Sequence, residues 1–387
     1  MLTQYPFVAE DERLGGIMQA SYRLVRAIDA LADPRIELYV LTQSPHVASK
    51  ITRQLPNGTT LIYVPLIDSA FDTLLFGFPP VYKALAEVIR EVSPDLVHGQ
   101  GTAKYIYAAI HGGRPHVVTI HGIYQNEMKV VRSKLTVGAK IARWVKLRLE
   151  RHYVTQIRNL IAITHEVSAY VKSAAPSVRV FDIENTIDED FFAIEMLDST
   201  MSPTILFVAA ITFRKGLDFL LDAFQQILQV VPLARLRIAG IWDWDPGYVD
   251  ALRTQYQTPI EAGSVSFLGG ITQEQLIAEM KNAAVLCLPS RAESAPMVIS
   301  QAMASARPVV ASRVGGIPNM VTDGINGRLW DVGDMASLSS ILIEILSDPA
   351  TAANMGRSGR LMALERYSSQ SVASKTVNAY VRIITNQ

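Results

Sequence analysis

Two adjacent cations, Arg214 and Lys215, lie in the segment ITFRKG at 211–216, and a lone carboxylate, Glu293, opens ESAPMVISQAMA at 293–304. Each segment follows an apolar run of strand character, TILFVA at 204–209 and AAVLCLP at 283–289. The residues after Glu293 predict a helix beginning near Ser294, with Pro296 in a first turn where its missing N–H costs little. A helix start offers unpaired N–H groups and a partial positive charge, so the cations and this end together read as an anion site. The simplest ligand is a phosphate or diphosphate. Paired glycines in LGG at 14–16 and RVGGIP at 313–318 permit close backbone approach, and HGIYQ at 121–125 adds a histidine, His121, after another apolar run.

The elements that would position these groups alternate along the chain. After TILFVA come KGLDFLLDAFQQIL, ARLRIAG at 234–240, SVSFLG at 264–269, TQEQLIAEMKNA, AAVLCLP, a helix from about Pro296, and RPVVAS at 307–312. Such βαβα alternation specifies a parallel sheet covered on both faces, because each crossover needs a helix. The first half repeats the scheme with IELYVLT at 36–42, TTLIYVP at 59–65, DLVH at 95–98, HVVTI at 116–120 and NLIAIT at 159–164. The expected fold class is therefore α/β, with two Rossmann-like doubly wound domains. The acidic, weakly periodic stretch at 184–203 marks the crossover, giving domains 1–185 and 186–370 and a last helix at 371–387 that returns toward the first domain. Only MLTQYP is left to supply a first strand before the LGG turn, so either that strand is very short or the start lies inside the gene. In open parallel sheets ligands bind beyond the carboxyl ends of the strands, which is where all the segments above fall.

Composition excludes several classes. At 387 residues, 49% apolar and 19% charged, the chain is an ordinary globular protein of two-domain size. No run reaches the ~18 apolar residues of a membrane span and the N-terminus has no signal-peptide pattern, so a cytoplasmic location is expected. The single cysteine, Cys287, sits in an apolar run and reads as a core residue. Neither a Gly-x-Gly-x-x-Gly nor a P-loop motif occurs, the histidines show no ligand spacing, and DWD at 243–245 reads as a loop or cap, not a metal motif. The basic residues gather on one apparent helix and not on an aromatic-interleaved surface, so nucleic acid is not an expected partner. The net charge of zero hides an asymmetry: residues 129–158 hold nine Lys or Arg and one Glu. Among them Ile141, Trp144, Val145, Leu149 and Tyr153 recur at near-helical spacing. Either a peripheral contact with anionic membrane or a domain helix with one solvated face would produce this pattern.

The sequence resembles the GT-B glycosyltransferases, in particular the retaining, metal-independent glycosyltransferase family 4. The resemblance runs from LGG through VVTIHG, NLIAITHEVSAYV, LFVAAITFRKGLDFLLDAF and VSFLGGITQEQL to LCLPSRAESAPMVISQAMASARPVVASRVGGIPNMVTDGINGRLW. It implies two Rossmann-like domains facing across a cleft, the second holding a nucleoside diphosphate sugar and the first the acceptor, a glycan, lipid-linked or small-molecule hydroxyl. No cofactor or metal is implied. On this resemblance Glu293 contacts the donor sugar, Lys215 the diphosphate, and His121 approaches both donor sugar and acceptor; these are the expected catalytic residues. Gly15 and Gly16 let backbone N–H groups approach the phosphates or acceptor, and Ser294, Ala295, Met297 and Val298 supply backbone contacts to phosphate and sugar.

Three departures stand out. Gln301 occupies the second carboxylate position of Glu-x7-Glu, expected at the nucleotide ribose. The pattern Gly-Arg-x4-Lys-Gly reads Ala209, Ala210, four residues, Lys215, Gly216, leaving Arg214 as the neighbouring cation able to compensate if it points the right way. The interdomain Asn-Gly-x-Asp reads Asn185, Thr186, Ile187, Asp188, a hinge feature. The alternative to an active enzyme is a catalytically impaired sugar-nucleotide-binding or scaffold protein of the same fold.

Overall fold

The computed structural model describes residues 1–7, 16–66, 79–101, 103–123, 137–196 and 202–386. Gly15 and residues 129–136 of the basic stretch lie outside the described residues. The described residues form two compact units, those up to 186 together with 369–386 in one, and those within 187–368 in the other. The break falls between Thr186 and Ile187.

In the first unit the strands are β1 (Tyr39–Ser44), β2 (Ile51–Gln54), β3 (Thr60–Pro65), β4 (Val97–Gln100), β5 (His116–Ile120), β6 (Asn159–Ala162) and β7 (Arg179–Asp182). They pair as β1-β3-β2 and β4-β5-β6-β7, with β2 antiparallel to β3 and the rest parallel. Residues 1–3 join the two sheets: Leu2 bridges to both Leu41 and Gly99. Its N–H donates to His98 O at 2.7 Å, and its carbonyl accepts from Gln100 N at 2.9 Å. A three-residue ladder thus fills the central position that the sequence left open. The helix Ser369–Thr385 packs against the helix Gly16–Leu31, and Val372, Val377 and Tyr380 share a core with Leu24, Ile28, Val117 and Ile161.

The second unit is one parallel six-stranded sheet in the order β10-β9-β8-β11-β12-β13. Its strands are β8 (Thr204–Val208), β9 (Arg235–Ala239), β10 (Val265–Gly269), β11 (Val285–Leu288), β12 (Val309–Ser312) and β13 (Gly327–Trp330). Successive strand residues point to opposite faces. Ile205, Phe207, Val285, Cys287 and Val310 meet the helices Leu217–Val230 and Met335–Ser347 on one face. Leu206, Leu286, Leu288, Val309 and Ala311 meet Met297–Ala304 and Pro349–Tyr367 on the other. This two-sided burial is why the strands read as unbroken apolar runs. Cys287 is buried in the first of these cores, and burial pushes its thiol pKa up, so it packs as an apolar group.

Candidate active site

Past the carboxyl ends of β8 and β11, Lys215, Arg214 and Glu293 converge. The Glu293 side chain is 5% exposed and its Oε1 contacts Lys215 Nζ and accepts from Ser290 Oγ at 2.8 Å. Arg214 Nη1 lies 3.5 Å from Oε2 and donates to Ala292 O at 3.0 Å. Both cations of the pair therefore turn toward one carboxylate. The short 3-10 turn Phe213–Lys215 does this, compacting residues that would diverge on an extended loop.

The turn ends at Gly216, in the left-handed conformation with φ 67°. A Cβ there would fall 2.0 Å from Pro289 O, so the loop after β8 lies backbone to backbone on the end of β11. Arg291 clamps the two. Its guanidinium forks onto Asp218 at 2.8 and 2.6 Å, donates to Phe213 O at 2.7 Å, and sits 3.8 and 3.9 Å from the ring centroids of Phe213 and Phe219. Its backbone N–H donates to Arg214 O at 2.8 Å. Only a planar guanidinium can fork and stack at once. Asp218 also accepts from Tyr248 Oη at 2.7 Å. Arg291 and Asp218 are positioning residues that sequence reasoning passed over; the cation in SRAES was visible, its partner 73 residues away was not.

Burial alone would raise the Glu293 pKa, but Lys215, then Arg214, and the bonds from Lys215 and Ser290 hold it below the ordinary carboxylate range. For Asp218 burial is likewise outweighed, here by the bonds from Arg291 and Tyr248 and the Arg291 charge. A carboxylate with a depressed folded pKa binds fewer protons than in the unfolded chain. Its stabilisation is present above the unfolded value and is lost as pH falls through the folded one. Acid unfolding followed by circular dichroism should accordingly depend less steeply on pH below the ordinary carboxylate range in Glu293→Gln than in the parent; an unchanged slope contradicts the ion-pair assignment.

The helix after Glu293 begins at Met297, not near Ser294. Pro296 is its N-cap with φ −67° and ψ 110°. A residue before proline is biased away from helical conformation, so Ser294 and Ala295 stay in the loop. Met297 and Val298 form the first turn, and the Glu293 carbonyl accepts from Gly316 N at 3.3 Å, bringing the RVGGIP loop alongside. Gln301 is buried on the same helix. Ala210 brings no charge; the neighbouring Ala209 O is so close to Gly240 that a Cβ at 240 would meet it at 1.7 Å. In DWD, Asp245 precedes the helix Pro246–Gln255, where its Oδ2 lies 3.5 Å from Phe213 N, and Trp244 is exposed.

The remaining expected residues belong to the first unit. His121 directly follows β5, and its Nε2 is buried with no hydrogen-bond partner among the described residues. Burial holds its pKa down to about 4, so at neutral pH the imidazole is uncharged. Gly16 is the first residue of the helix Gly16–Leu31, and a Cβ on it would meet open space.

Two Rossmann-like units, one carrying a cation–carboxylate cluster beyond its strand ends, are the building blocks of the GT-B fold. Residues 190–362 match the family Glycosyl transferases group 1 and residues 15–191 match Glycosyltransferase Family 4. The chain belongs to this glycosyltransferase family. It is 29% identical over 245 residues to a GDP-mannose-dependent alpha-(1-6)-phosphatidylinositol monomannoside mannosyltransferase of Mycolicibacterium smegmatis, an alignment covering 58% of this chain and 63% of that one. It is 25% identical over 388 residues to a GDP-mannose-dependent monoacylated alpha-(1-6)-phosphatidylinositol monomannoside mannosyltransferase of Corynebacterium glutamicum, covering 95% and 94%. Among solved structures, sucrose-phosphate synthase from Thermosynechococcus elongatus shares the fold with a TM-score of 0.77 at 19% identity, over 100% of this chain and 99% of that one.

Proposed function

We propose that the protein transfers a sugar from a nucleoside diphosphate sugar to a hydroxyl of a glycan, lipid or small-molecule acceptor, with retention at the anomeric carbon and without a metal. The observation that carries this reading is the convergence of Lys215 and Arg214 on the buried Glu293, two cations against one carboxylate, beside the first turn at Met297. Dependence of the mycobacterial and corynebacterial relatives on GDP-mannose supports a nucleotide-sugar donor.

In this reaction the bond from the anomeric carbon to the diphosphate breaks while the acceptor oxygen bonds to that carbon on the same face. The acceptor proton passes to the leaving phosphate oxygen. Lys215 and Arg214 stabilise the charge that develops on the diphosphate, the largest contribution a protein makes to such a step. Glu293, held ionised by its cations, accepts hydrogen bonds from donor-sugar hydroxyls and orients the ring. His121, uncharged, offers a hydrogen-bonding nitrogen to the acceptor. The backbone N–H groups of 294–298 approach the phosphates.

A thermal-shift screen against UDP-, GDP- and ADP-sugars selects the donor, since a ligand that prefers the native state raises its stability. Release of nucleoside diphosphate with an acceptor present then tests transfer. No shift and no release with any donor would overturn the reading. Ala210 and Gln301 favour a second reading, a donor-binding protein with impaired turnover, which binding without release would support. Gln301→Glu should tighten donor binding about fivefold, because a charge-assisted bond exceeds a neutral one by about 1 kcal/mol. Titration calorimetry with the selected donor reads this; unchanged affinity would move Gln301 away from the nucleotide.

A further inference from the structure

The helix Val137–Val154 buries one side and leaves an unusual surface on the other. Glu150, Tyr153 and Val154 are buried, and Glu150 Oε1 accepts from Tyr170 Oη at 3.0 Å. Facing outward, Trp144 is 62% exposed and Ile141 49%. At about 100° per residue, Lys140, Arg151, Trp144, Arg148 and Ile141 fall in that order within an arc of about 100°. All of them are exposed, and the helix's one carboxylate, Glu150, lies on the buried side. Arg148 Cζ lies 5.7 Å from the Trp144 ring centroid, so cation and indole share the same patch. What sets this face apart from the chain's other exposed apolar residues is that an indole and an isoleucine share one arc with three cations.

We infer that this face docks the protein on an anionic lipid surface, with Trp144 and Ile141 entering the headgroup boundary and Lys140, Arg148 and Arg151 meeting lipid phosphates. Charge and apolarity complement such a surface together: the cations are attracted to its negative potential, and the indole finds the interfacial layer it prefers. A soluble polyanion would satisfy the cations but offers no apolar phase for Trp144 and Ile141. With a net charge of zero for the whole chain, the attraction is local to this helix and not a property of the protein at large. The contact is peripheral, for no helix among the described residues is long and apolar enough to cross a membrane.

Flotation of the full chain with vesicles of phosphatidylcholine, alone or mixed with phosphatidylglycerol, tests the inference without recourse to turnover, so it stands or falls separately from the sugar-transfer reading. The protein should float with the mixed vesicles only and be released by salt, which screens exposed charges. Arg148→Gln combined with Arg151→Gln should weaken partitioning about 30-fold, taking about 1 kcal/mol for each cation near the surface. A blue shift of indole emission on binding should be present in the parent and absent in Trp144→Phe. Thermal unfolding in free solution should be unchanged in both variants, because these side chains point outward. Failure to float, equal binding to neutral vesicles, parent-like binding of the paired Arg variant, or binding of soluble polyphosphate in place of vesicles would each overturn the assignment.

Discussion

Replacing Lys215 by alanine is expected to lower kcat/KM for nucleoside diphosphate release by about 10²–10³-fold, the loss that follows removal of one preorganised charge-stabilising donor. Lys215 Nζ is held on Glu293 Oε1 at a side chain only 13% exposed, so its charge is fixed in place before any ligand arrives and little reorganisation accompanies the reaction. Arg214 remains within 3.5 Å of the other carboxylate oxygen, but its side chain is 32% exposed and more heavily screened. Arg214→Ala should therefore cost less than Lys215→Ala. Steady-state kinetics at saturating and limiting donor separate the two effects: a fall in both kcat and kcat/KM places the lysine at the developing charge, whereas a rise in KM alone would confine it to ground-state binding. Parent-like kinetics in Lys215→Ala would remove the diphosphate from this cluster.

Gly216→Ala should be a strongly damaging conservative change to the second unit. At φ 67° a side chain is strained, and the added Cβ would meet a carbonyl oxygen, Pro289 O, that belongs to backbone and cannot rotate aside. Strain and overpacking together cost about 3 kcal/mol. That lowers the melting temperature of a unit this size by about 6–12 °C. Because the same contact seats Lys215 and Arg214 over Glu293, turnover should fall with it. Gly16→Ala provides the contrast: its Cβ would enter open space, and stability should change by no more than about 0.5 kcal/mol. Differential scanning calorimetry of both variants checks the pair; equal transitions would mean that the loop after β8 is not pinned against β11.

The central strands were legible in the sequence. HVVTI coincides with β5 residue for residue, and LFV and VLCL fall within β8 and β11, since strands covered on both faces must be apolar at every position. Three edge strands were not read: ITRQ, RVFD and GRLW mix charge with apolar residues because an edge strand has one ladder neighbour and one side nearer water. Residues 1–3 carry too few positions to show any period, and their place between β1 and β4 is set by hydrogen bonds to residues about 40 and 100 positions away. The helix start moved to Met297 because the restraint Pro296 puts on its predecessor outweighs the tolerance of proline in a first turn.

At the site, the sequence by itself determined which charges exist and that each follows a strand of a parallel sheet, where ligands gather. Residue type and local periodicity are enough for that. Only the tertiary structure decided that Arg214 turns toward Glu293 beside Lys215, that Arg291 forks onto Asp218, and that Gly216 meets Pro289 O. Those contacts join segments more than 70 residues apart, and the direction of a side chain across such a distance is fixed by backbone packing that no single stretch of sequence contains.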